Sequence, residues 1–418
     1  MTVDLDLSPG TRSLWAGKAI PWEHLEEEVA LLWKMAADNM RIGQNMSVRT
    51  SVLNLVICAP SVARARYASD LLRDLLSTHI ARVIILIFED DPDAPASIAT
   101  WVTLRSFPVI SDLTRHHFEQ ITALLTGPVV QHSAALLQRL VRPDLPIYLW
   151  WLDEPPASGD PLGSLAAISQ RLIVDSASFQ TPGPTLRLLA SLLETYPACA
   201  ISDLNWGRLT PLRQLVAQFF DGLEYRPYFD GIQRIEIEHA VLGTSASGSS
   251  ADLPSTGISA AGVYPQRLQE PARALLMGGW LKERLTWRRV ACSASCPGSG
   301  ESLPPGAYHW CLENEAGQPT RIDIRPRREG EVPPGTICLL RLTSRLADQQ
   351  ALFSISRLAG DSDHVLTSIE LEQEQPRQRT LALNEQHQES QLLVDELEIT
   401  GHDDQFEKIL QELASLLT

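Results

Sequence analysis

The sequence predicts an α/β fold, with a mainly parallel α/β domain followed by a smaller α+β domain that has a mostly antiparallel sheet. Between residues 51 and 240, short apolar runs alternate with helical patterns, which is typical of parallel strands joined by helices. From residue 285 onward, strand-like runs are separated by proline and glycine, which favours antiparallel pairing. A serine- and glycine-rich stretch lies between the two regions and predicts a loop or linker.

An amphipathic helix is predicted from Pro21 to Met40, within an N-terminal helical segment that comprises residues 1–50. Leu25, Val29 and Trp33 recur on one face at helical spacing, and three glutamates stand near the start of the helix. We expect this helix to pack on a domain or on a partner.

The α/β domain is predicted to span residues 51–240 and to begin with a strand–helix–strand unit. His116 and His117 are interpreted as a helix surface, because adjacent residues on a helix point in different directions and do not readily share one metal ion. The predicted strands are 54–58, 82–88, 100–104, 147–151, 172–174 and 232–238, and the predicted helices are 61–77, 129–141 and 184–194.

The linker is predicted at residues 241–264 and the C-terminal α+β domain at residues 265–418. A final helix from Phe406 to Leu417 carries one apolar stripe, which we expect to dock on the chain's own domain. Before it, the predicted elements are a helix at 266–283 and strands at 285–291, 307–313, 320–325, 336–342, 351–356 and 365–371.

Composition limits the classes of function. The chain has 418 residues, 44% of them hydrophobic, so it is long enough for two domains with real cores. Its formal net charge of −16 argues against binding to nucleic acid or to an anionic membrane, since both would repel it. The start of the sequence has no basic segment followed by an apolar run, and we expect the protein to be cytoplasmic.

Sequence motifs for catalysis are missing. There is no glycine-rich phosphate loop, no dinucleotide fingerprint, no serine nucleophile elbow and no paired-histidine zinc helix. The turn after the first strand of the α/β domain, residues 58–63, lacks the glycines that let a backbone approach a pyrophosphate. Ser61, Arg64 and Arg66 leave a phosphate at a helix N-terminus open, although capping and surface charge explain them equally well. We predict no catalytic residue, no metal and no cofactor.

The most informative segment is Asp203–Asp221. Thr210 is a suitable cap, Pro211 suits the first helical position, and Gly222 is available as the stop of a helix. The approach to this helix is predicted to be a polar loop beside a helix N-terminus, a place suited to anions or to a partner's carboxylates. The alternative is that the loop packs only its own turn. Its polar and aromatic residues are Asp203, Asn205, Trp206 and Arg208.

This segment resembles the signature of the OpcA family, the glucose-6-phosphate dehydrogenase assembly proteins of cyanobacteria and actinobacteria. A second segment, Pro146–Pro156, is similar to that family's strand ending in paired tryptophans and a proline turn. The resemblance covers most of the chain and is strongest before residue 242. It implies a non-catalytic protein that binds glucose-6-phosphate dehydrogenase and promotes its assembled, active state.

The resemblance, together with the preference of tryptophan and arginine for interface hot spots, selects candidate partner-binding residues. Trp151 is equally suited to a core position. The candidates are Trp150, Trp151, Asp203, Asn205, Trp206, Arg208 and Arg213.

Cys292 and Cys296 lie in a small-residue segment flexible enough to bring two thiols together. Redox control of the partner enzyme is a theme of the cyanobacterial branch of the family that the chain resembles, so a regulatory disulfide with thioredoxin as a second partner is one hypothesis. Inert loop cysteines are the alternative, and a zinc site with His309 and Cys311 is a weaker one, because the usual CxxC spacing is absent.

Two other functions stay open from the sequence. One is an enzyme or sensor that binds a phosphosugar or nucleotide at the mouth of the α/β sheet. The other is a structural subunit whose only role is to stabilise an oligomer.

Overall fold

A computed structural model provides the structure of the chain. It describes residues 17–43, 46–48, 51–75, 81–89, 93–108, 114–157, 160–241, 271–291, 304–329, 332–358, 361–372, 374–383 and 389–417. The predicted fold class is confirmed, because one sheet is mostly parallel and the other is mostly antiparallel.

The first sheet has nine strands in the order β1-β5-β6-β4-β3-β7-β8-β9, with β2 paired to β6. The six strands from β6 to β9 in this order are parallel, whereas β5 and β1 add antiparallel strands at one side. The strands are β1 Lys18–Ile20, β2 Met46–Val48, β3 Leu53–Ala59, β4 Ala81–Glu89, β5 Ser97–Pro108, β6 Thr114–Thr126, β7 Ile147–Trp151, β8 Arg171–Val174 and β9 Ala200–Asp203.

Helices follow most of the parallel strands, as the crossover connections of a parallel sheet require. Strand β3 is apolar except for Asn54 and is buried along its whole length, which is typical of a strand covered on both faces. The helices are α1 Leu25–Gly43, α2 Val62–Leu75, α3 Ser133–Leu140, α4 Asp160–Ala166 and α5 Pro182–Thr195, with 3₁₀ turns at Trp22–His24, Gly127–His132 and Ser176–Ser178.

The interpretation of His116 and His117 as part of a helix surface was wrong, because both lie in strand β6. Tertiary contacts decide this segment. Glu119 of the same strand is buried and accepts hydrogen bonds from Arg82 at 2.9 Å and from Arg142 at 2.8 Å. Trp33 of α1 also donates its indole N–H to Glu119, at 2.5 Å, so the N-terminal helix is held by a buried ionic network.

The second sheet has eight strands in the order β11-β12-β13-β10-β14-β15-β16-β17, and all of its pairs are antiparallel except β10 with β13. The strands are β10 Ile232–Val241, β11 Arg288–Arg289, β12 Tyr308–Glu313, β13 Pro319–Arg328, β14 Ile337–Leu346, β15 Gln349–Leu358, β16 Asp361–Leu371 and β17 Arg377–Ala382. The remaining helices are α6 Leu204–Arg208, α7 Thr210–Gln218, α8 Pro227–Asp230, α9 Ala272–Arg284, α10 Glu389–Glu398 and α11 Asp404–Leu416.

The chain forms two compact units, and neither is continuous in sequence. The first comprises residues 1–175, 188–204 and 387–407, and the second comprises 176–187, 205–386 and 408–418. Strand β10 belongs to the second unit and helix α10 to the first. The predicted limits, 51–240 and 265–418, stay a prediction about independently folding pieces, and the predicted linker lies almost wholly outside the described residues.

The predicted C-terminal helix is confirmed as α11. Asp403 caps it, since its side chain accepts hydrogen bonds from the backbone N–H groups of Gln405 and Phe406 at 3.0 Å each. Ile409 and Leu413, in the apolar stripe, are fully buried. No helix in the described ranges is long and apolar enough to cross a membrane.

Candidate functional site

The six parallel strands of the first sheet have the spatial order of a doubly wound dinucleotide-binding fold. Numbered along the chain, they run 3-2-1-4-5-6, so the order reverses between β3 and β7. Ligands of such sheets bind in the crevice at the carboxyl ends of the strands beside this reversal. A small-molecule site of this fold would therefore lie in the crevice beside β3 and β7.

An ion pair spans this crevice. Arg64, in the first turn of α2, binds Asp153, two residues beyond the end of β7, through Nε to Oδ2 at 2.8 Å and Nη2 to Oδ1 at 2.7 Å. Asp153 adopts a left-handed backbone conformation, with φ of 63°, which is uncommon for a residue with a side chain. Ser61 caps α2 by accepting the N–H of Arg64 at 3.3 Å.

A second contact lies next to the first. The Arg64 guanidinium stacks 4.8 Å from the ring centroid of Tyr67, and the Tyr67 hydroxyl donates to Glu389 Oε2 at 2.6 Å. Burial and the Glu389 carboxylate raise the pKa of Tyr67, so this phenol stays protonated and acts as a donor. The carboxylates of Asp153 and Glu389 thus already bind the guanidinium of Arg64 and the hydroxyl of Tyr67, which could otherwise bind an anionic ligand.

The predicted polar loop before helix α7 is not a loop, because residues 204–208 form helix α6. Asn205 is buried and donates from Nδ2 to Ser176 Oγ at 3.1 Å, while its Oδ1 accepts from Arg273 Nε at 3.2 Å. A buried amide needs such partners, so the residue fixes local structure. Asp203 ends strand β9 and is likewise buried.

Trp206 of helix α6 and Arg213 of helix α7 are brought together. The Arg213 guanidinium carbon lies 3.4 Å from the centroid of the Trp206 ring, a close cation–π contact. Arg213 Nη2 also donates to Thr210 Oγ1 at 2.8 Å. The structure also corrects the predicted helix limits. Helix α7 begins with Thr210 itself rather than using it as the cap, and it ends at Gln218, well before Gly222.

Of the seven predicted partner-binding residues, only Arg208 and Arg213 are partly exposed. Trp150 is fully buried in the centre of the parallel sheet, and Trp151 is buried with its ring stacked on Phe88 at 5.7 Å. The pattern of paired tryptophans therefore marks a core strand. A partner-binding role for the seven residues stays a prediction.

The predicted redox cysteines, Cys292 and Cys296, lie outside the described residues. Cys311 of β12 is disulfide-bonded, and its sulfur lies 3.1 Å from His309 Nε2. A disulfide sulfur is not a thiolate ligand, which weighs against the zinc alternative. No group of three or more metal-ligating side chains occurs in the described part of the chain.

Three other cysteines are free and buried, namely Cys58, Cys199 and Cys338. Burial raises the pKa of each thiol, to about 12 for Cys199 and about 11 for Cys338. Such thiols carry little thiolate at neutral pH and react slowly. Cys58 and Cys338 are core residues of apolar strands.

Sequence reasoning missed Asp153, Glu389 and Arg273, which complete the contacts described above. Glu389 meets Tyr67 across 322 positions of sequence, and Arg273 meets Asn205 across 68. No local pattern signals contacts of this range. Asp153 had a weak signal, because a polar residue directly after a parallel strand falls at the ligand-binding edge.

Two family models match most of the chain. Residues 73–191 match the model described as glucose-6-phosphate dehydrogenase subunit N-terminal domain, and residues 199–410 match the corresponding C-terminal domain. The break between the two matches, residues 192–198, precedes strand β9.

Curated relatives carry the name OxPP cycle protein OpcA. The protein from Synechocystis sp. is 29% identical over 202 residues, which are 47% of this chain and 34% of the relative. The protein from Synechococcus elongatus is 26% identical over 234 residues, which are 55% of this chain and 44% of the relative. The matched part therefore spans less than half the length of these relatives.

Solved structures with a similar path of the backbone have low sequence identity to this chain. The 3-ketoreductase KijD10 from Actinomadura kijaniata, solved with NADP, is 8% identical, with a TM-score of 0.42 and coverage of 87% of this chain and 95% of its own. Biliverdin reductase from Synechocystis sp. is 9% identical, with a TM-score of 0.41 and coverage of 88% and 98%.

Proposed function

Because the chain belongs to the family of glucose-6-phosphate dehydrogenase subunits defined by these N- and C-terminal domains, we propose that it is a non-catalytic assembly factor and allosteric activator of that dehydrogenase. It would bind the enzyme in the cytoplasm and promote its active oligomeric state in the oxidative pentose phosphate pathway. The observation that carries this proposal is the match of both family models, one after the other, along residues 73–410.

The crevice of the first sheet supports a role without catalysis. Its first turn has no glycine, and Arg64 is engaged by Asp153 in a two-point ion pair. A pyrophosphate would have to displace the Asp153 carboxylate from Arg64. It would also have to approach a turn whose residues all carry side chains, where dinucleotide-binding folds have glycine.

We place the partner surface on the exposed parts of helices α6 and α7. Arg208 and Arg213 are the partly exposed members of the predicted set, and arginine is common at interface hot spots. Trp206 and Asn205 are buried and would position this surface rather than contact the partner. Trp206 packs against Arg213, and Asn205 anchors α6 through Ser176 and Arg273. A guanidinium already held against an indole loses less freedom when it binds a carboxylate.

Activation then follows from linkage. A protein shifts an enzyme's equilibrium only by binding one state more tightly than the other. The factor by which it changes the enzyme's affinity for substrate equals the factor by which substrate changes the enzyme's affinity for it. In the proposed function, this protein would therefore bind the active oligomer of the dehydrogenase more tightly than the less active form. Typical coupling energies correspond to changes of roughly 5- to 150-fold.

We further propose that oxidation tunes this activity. Cys292 and Cys296 would form a reversible disulfide, which a thioredoxin dithiol would reduce by supplying two electrons and two protons while becoming a disulfide itself. Cys311 is disulfide-bonded and Cys58, Cys199 and Cys338 are free, so a bond between Cys292 and Cys296 would have to form by thiol–disulfide exchange with the bond of Cys311. Cys311 is therefore a third cysteine in the test. Replacing each of the three by serine separates their contributions.

The direct experiment is a titration of purified glucose-6-phosphate dehydrogenase from the same organism with this protein. Activity is followed at subsaturating glucose 6-phosphate, with and without reductant, and oligomer size is measured by light scattering. We expect saturable activation that weakens in R208A and R213A, and a redox difference that disappears in C292S or C296S.

Absence of both activation and a complex under all conditions would overturn the proposal. A change in oligomer size without a change in substrate affinity would instead indicate a purely structural subunit. Normal activation by both arginine variants would remove the proposed surface while leaving the function intact.

A second candidate is an enzyme or sensor that binds a phosphosugar or nucleotide at the mouth of the α/β sheet. The strand order favours it, because the reversal between β3 and β7 is where such sheets bind ligands. Calorimetric titration of the isolated protein with glucose 6-phosphate and NADP tests it, and turnover by the isolated protein would establish it.

A further inference from the structure

A cysteine, a histidine and an aspartate are in contact on one face of the second sheet. His309 Nε2 lies 3.1 Å from the sulfur of Cys311, and His309 Nδ1 lies 3.0 Å from Asp323 Oδ1. Cys311 and Asp323 are buried, whereas the His309 side chain keeps 16% of its surface exposed. A carboxylate that orients an imidazole beside a sulfur is the arrangement that activates cysteine nucleophiles.

Strand pairing fixes this arrangement. In the antiparallel pair of β12 and β13, His309 lies opposite Asp323, and Cys311 lies opposite Arg321. Residues that are opposite each other, or two apart along one strand, share a face of the sheet, so these four side chains lie together. The three reactive groups therefore stand on regular strands, which hold side chains more precisely than loops do.

Asp323 determines which nitrogen of His309 carries the fixed proton. Its carboxylate accepts hydrogen bonds from Arg321 Nε at 2.6 Å and from Arg234 Nε at 3.2 Å as well as from the imidazole. A carboxylate only accepts, so His309 Nδ1 carries a proton and donates it. His309 Nε2 is then the nitrogen that can exchange a proton with the sulfur of Cys311.

The charges around this sulfur are mostly positive. Arg321 is buried opposite Cys311, and Arg325 of the same strand also faces Asp323, at 3.8 Å. Glu236 of the next strand, β10, is bound by Arg234 at 3.0 Å and by Arg341 at 3.3 Å, so its charge is compensated. A negative charge on the sulfur would therefore be stabilised by its surroundings.

Cys311 is disulfide-bonded in the structure. Three of the six cysteines are free, so its partner within the chain is Cys292 or Cys296. A bonded sulfur has no proton to exchange and gains little from an imidazole beside it. A thiolate gains much more, because a protonated imidazole stabilises its charge. The surroundings of Cys311 thus suit the reduced form of this cysteine.

We propose that Cys311 is a redox-active cysteine and that His309, positioned by Asp323, stabilises its thiolate when the disulfide is reduced. A dithiol would attack the partner sulfur, the bond to Cys311 would break, and the Cys311 sulfur would leave as a thiolate beside a protonated His309. The second thiol of the reductant would then release the partner cysteine. Two electrons and two protons pass to the protein, and the reductant becomes a disulfide.

The inference deepens the redox part of the proposed function, and its first test is a titration of the reduced full-length protein. The ultraviolet absorbance of thiolate is followed against pH, and subtraction of the C311S curve isolates Cys311. We expect the pKa of this thiol to lie between about 3.5 and 7.5, well below the ordinary value of about 8.5. In H309Q the pKa should return to about 8.5 or above, because Cys311 is buried.

The second test is the rate at which dithiothreitol reduces the oxidised protein at neutral pH. We expect H309Q to react about 10-fold more slowly than the wild type, because a thiol of lower pKa leaves faster. H364Q is the matched control, since His364 of β16 makes a similar contact with Asp361, at 2.8 Å, and should leave both measurements unchanged. Circular dichroism and the thermal midpoint check that the variants fold.

An ordinary or raised pKa of the Cys311 thiol in the wild type would overturn the inference, and that measurement needs no histidine variant. A folded H309Q that keeps both the low pKa and the wild-type rate of reduction would overturn it as well. Failure to activate the dehydrogenase would contradict only the proposed function, because neither test involves that enzyme.

Discussion

Individual buried charges in this protein are held by specific partners. Asp323 is fully buried and accepts from Arg321 at 2.6 Å, from His309 at 3.0 Å and from Arg234 at 3.2 Å. Glu119 has a comparable set, and its pKa is lowered because the positive charges and donors around it outweigh the effect of burial. Breaking such a network by removing one partner leaves a buried charge uncompensated.

His239 is the contrasting case. It is 1% exposed on β10, and neither ring nitrogen makes a hydrogen bond to the described residues. Burial lowers the pKa of His239 from 6.5 to about 4, so the native state holds it neutral. The unfolded chain takes up this proton below pH 6.5, and stability falls as the pH drops from 6.5 toward 4.

We therefore expect acid sensitivity that depends on His239. Between pH 7.5 and pH 5 the shift corresponds to a loss of about 2 kcal/mol in the free energy of unfolding. Urea titrations at both pH values measure it, and H239L should lose less stability over that interval than the wild type. An equal loss in both proteins would assign the acid sensitivity to the carboxylates instead.

Helices and strands follow their local patterns except where tertiary contacts dominate. Strand β6 begins with a polar, histidine-rich run, and its strand character comes from pairing with β5 and β4 rather than from its residues. Helix α6 is only five residues long. Asn205 holds it in place because its side-chain amide both donates to Ser176 and accepts from Arg273. Elements this short gain their stability from packing.

Helix α9 is buried on nearly all sides, and two adjacent glycines allow this. A Cβ on Gly278 would lie 2.8 Å from Trp310 of β12, and a Cβ on Gly279 would lie 2.9 Å from Leu413 of α11. These distances are below ordinary van der Waals contact, so the glycines let the sheet and α11 approach the helix closely.

We expect G279A to destabilise the protein by about 1–2 kcal/mol, since the cost of overpacking exceeds the gain in helix propensity. Thermal unfolding followed by circular dichroism measures this. G222A is the control, because its added Cβ meets Tyr225 at an ordinary 3.5 Å and should be close to neutral. A stabilised G279A would show that α11 moves away at little cost.

At the scale of the whole molecule, the C-terminal segment serves both units. Leu392, Leu393 and Leu397 of α10 belong to the core of the first unit, whereas Ile409 and Leu413 of α11 pack in the second. Arg171 of β8 holds the segment between α10 and α11 by donating hydrogen bonds to the carbonyls of Ile399, at 3.1 Å, and of Gly401.

A chain that ends at Gln386 should therefore lose the cooperative folding of both units. We expect it to be poorly soluble, to bind a hydrophobic dye and to show no sharp thermal transition. L393A provides the graded comparison, because it should cost about 2–5 kcal/mol while keeping one cooperative transition. A sharp transition in the truncated chain would show that the cores do not depend on these helices.

The sequence by itself determined the fold class, most of the parallel strands and the family. Apolar runs such as 82–88 predict buried strands wherever they lie, and the pattern of Asp203–Asp221 identifies relatives whatever its exposure.

Tertiary structure alone decided which residues are available for function. Trp150 and Trp206 look like anchors in the sequence, but they are buried, whereas Arg208 and Arg213 are partly exposed. Asp153 binds Arg64 beside the crevice, and Glu389 accepts from Tyr67, each from a distant position in the sequence. Periodicity reports which face of an element is apolar, whereas exposure and long-range pairing depend on what the rest of the chain places against that face.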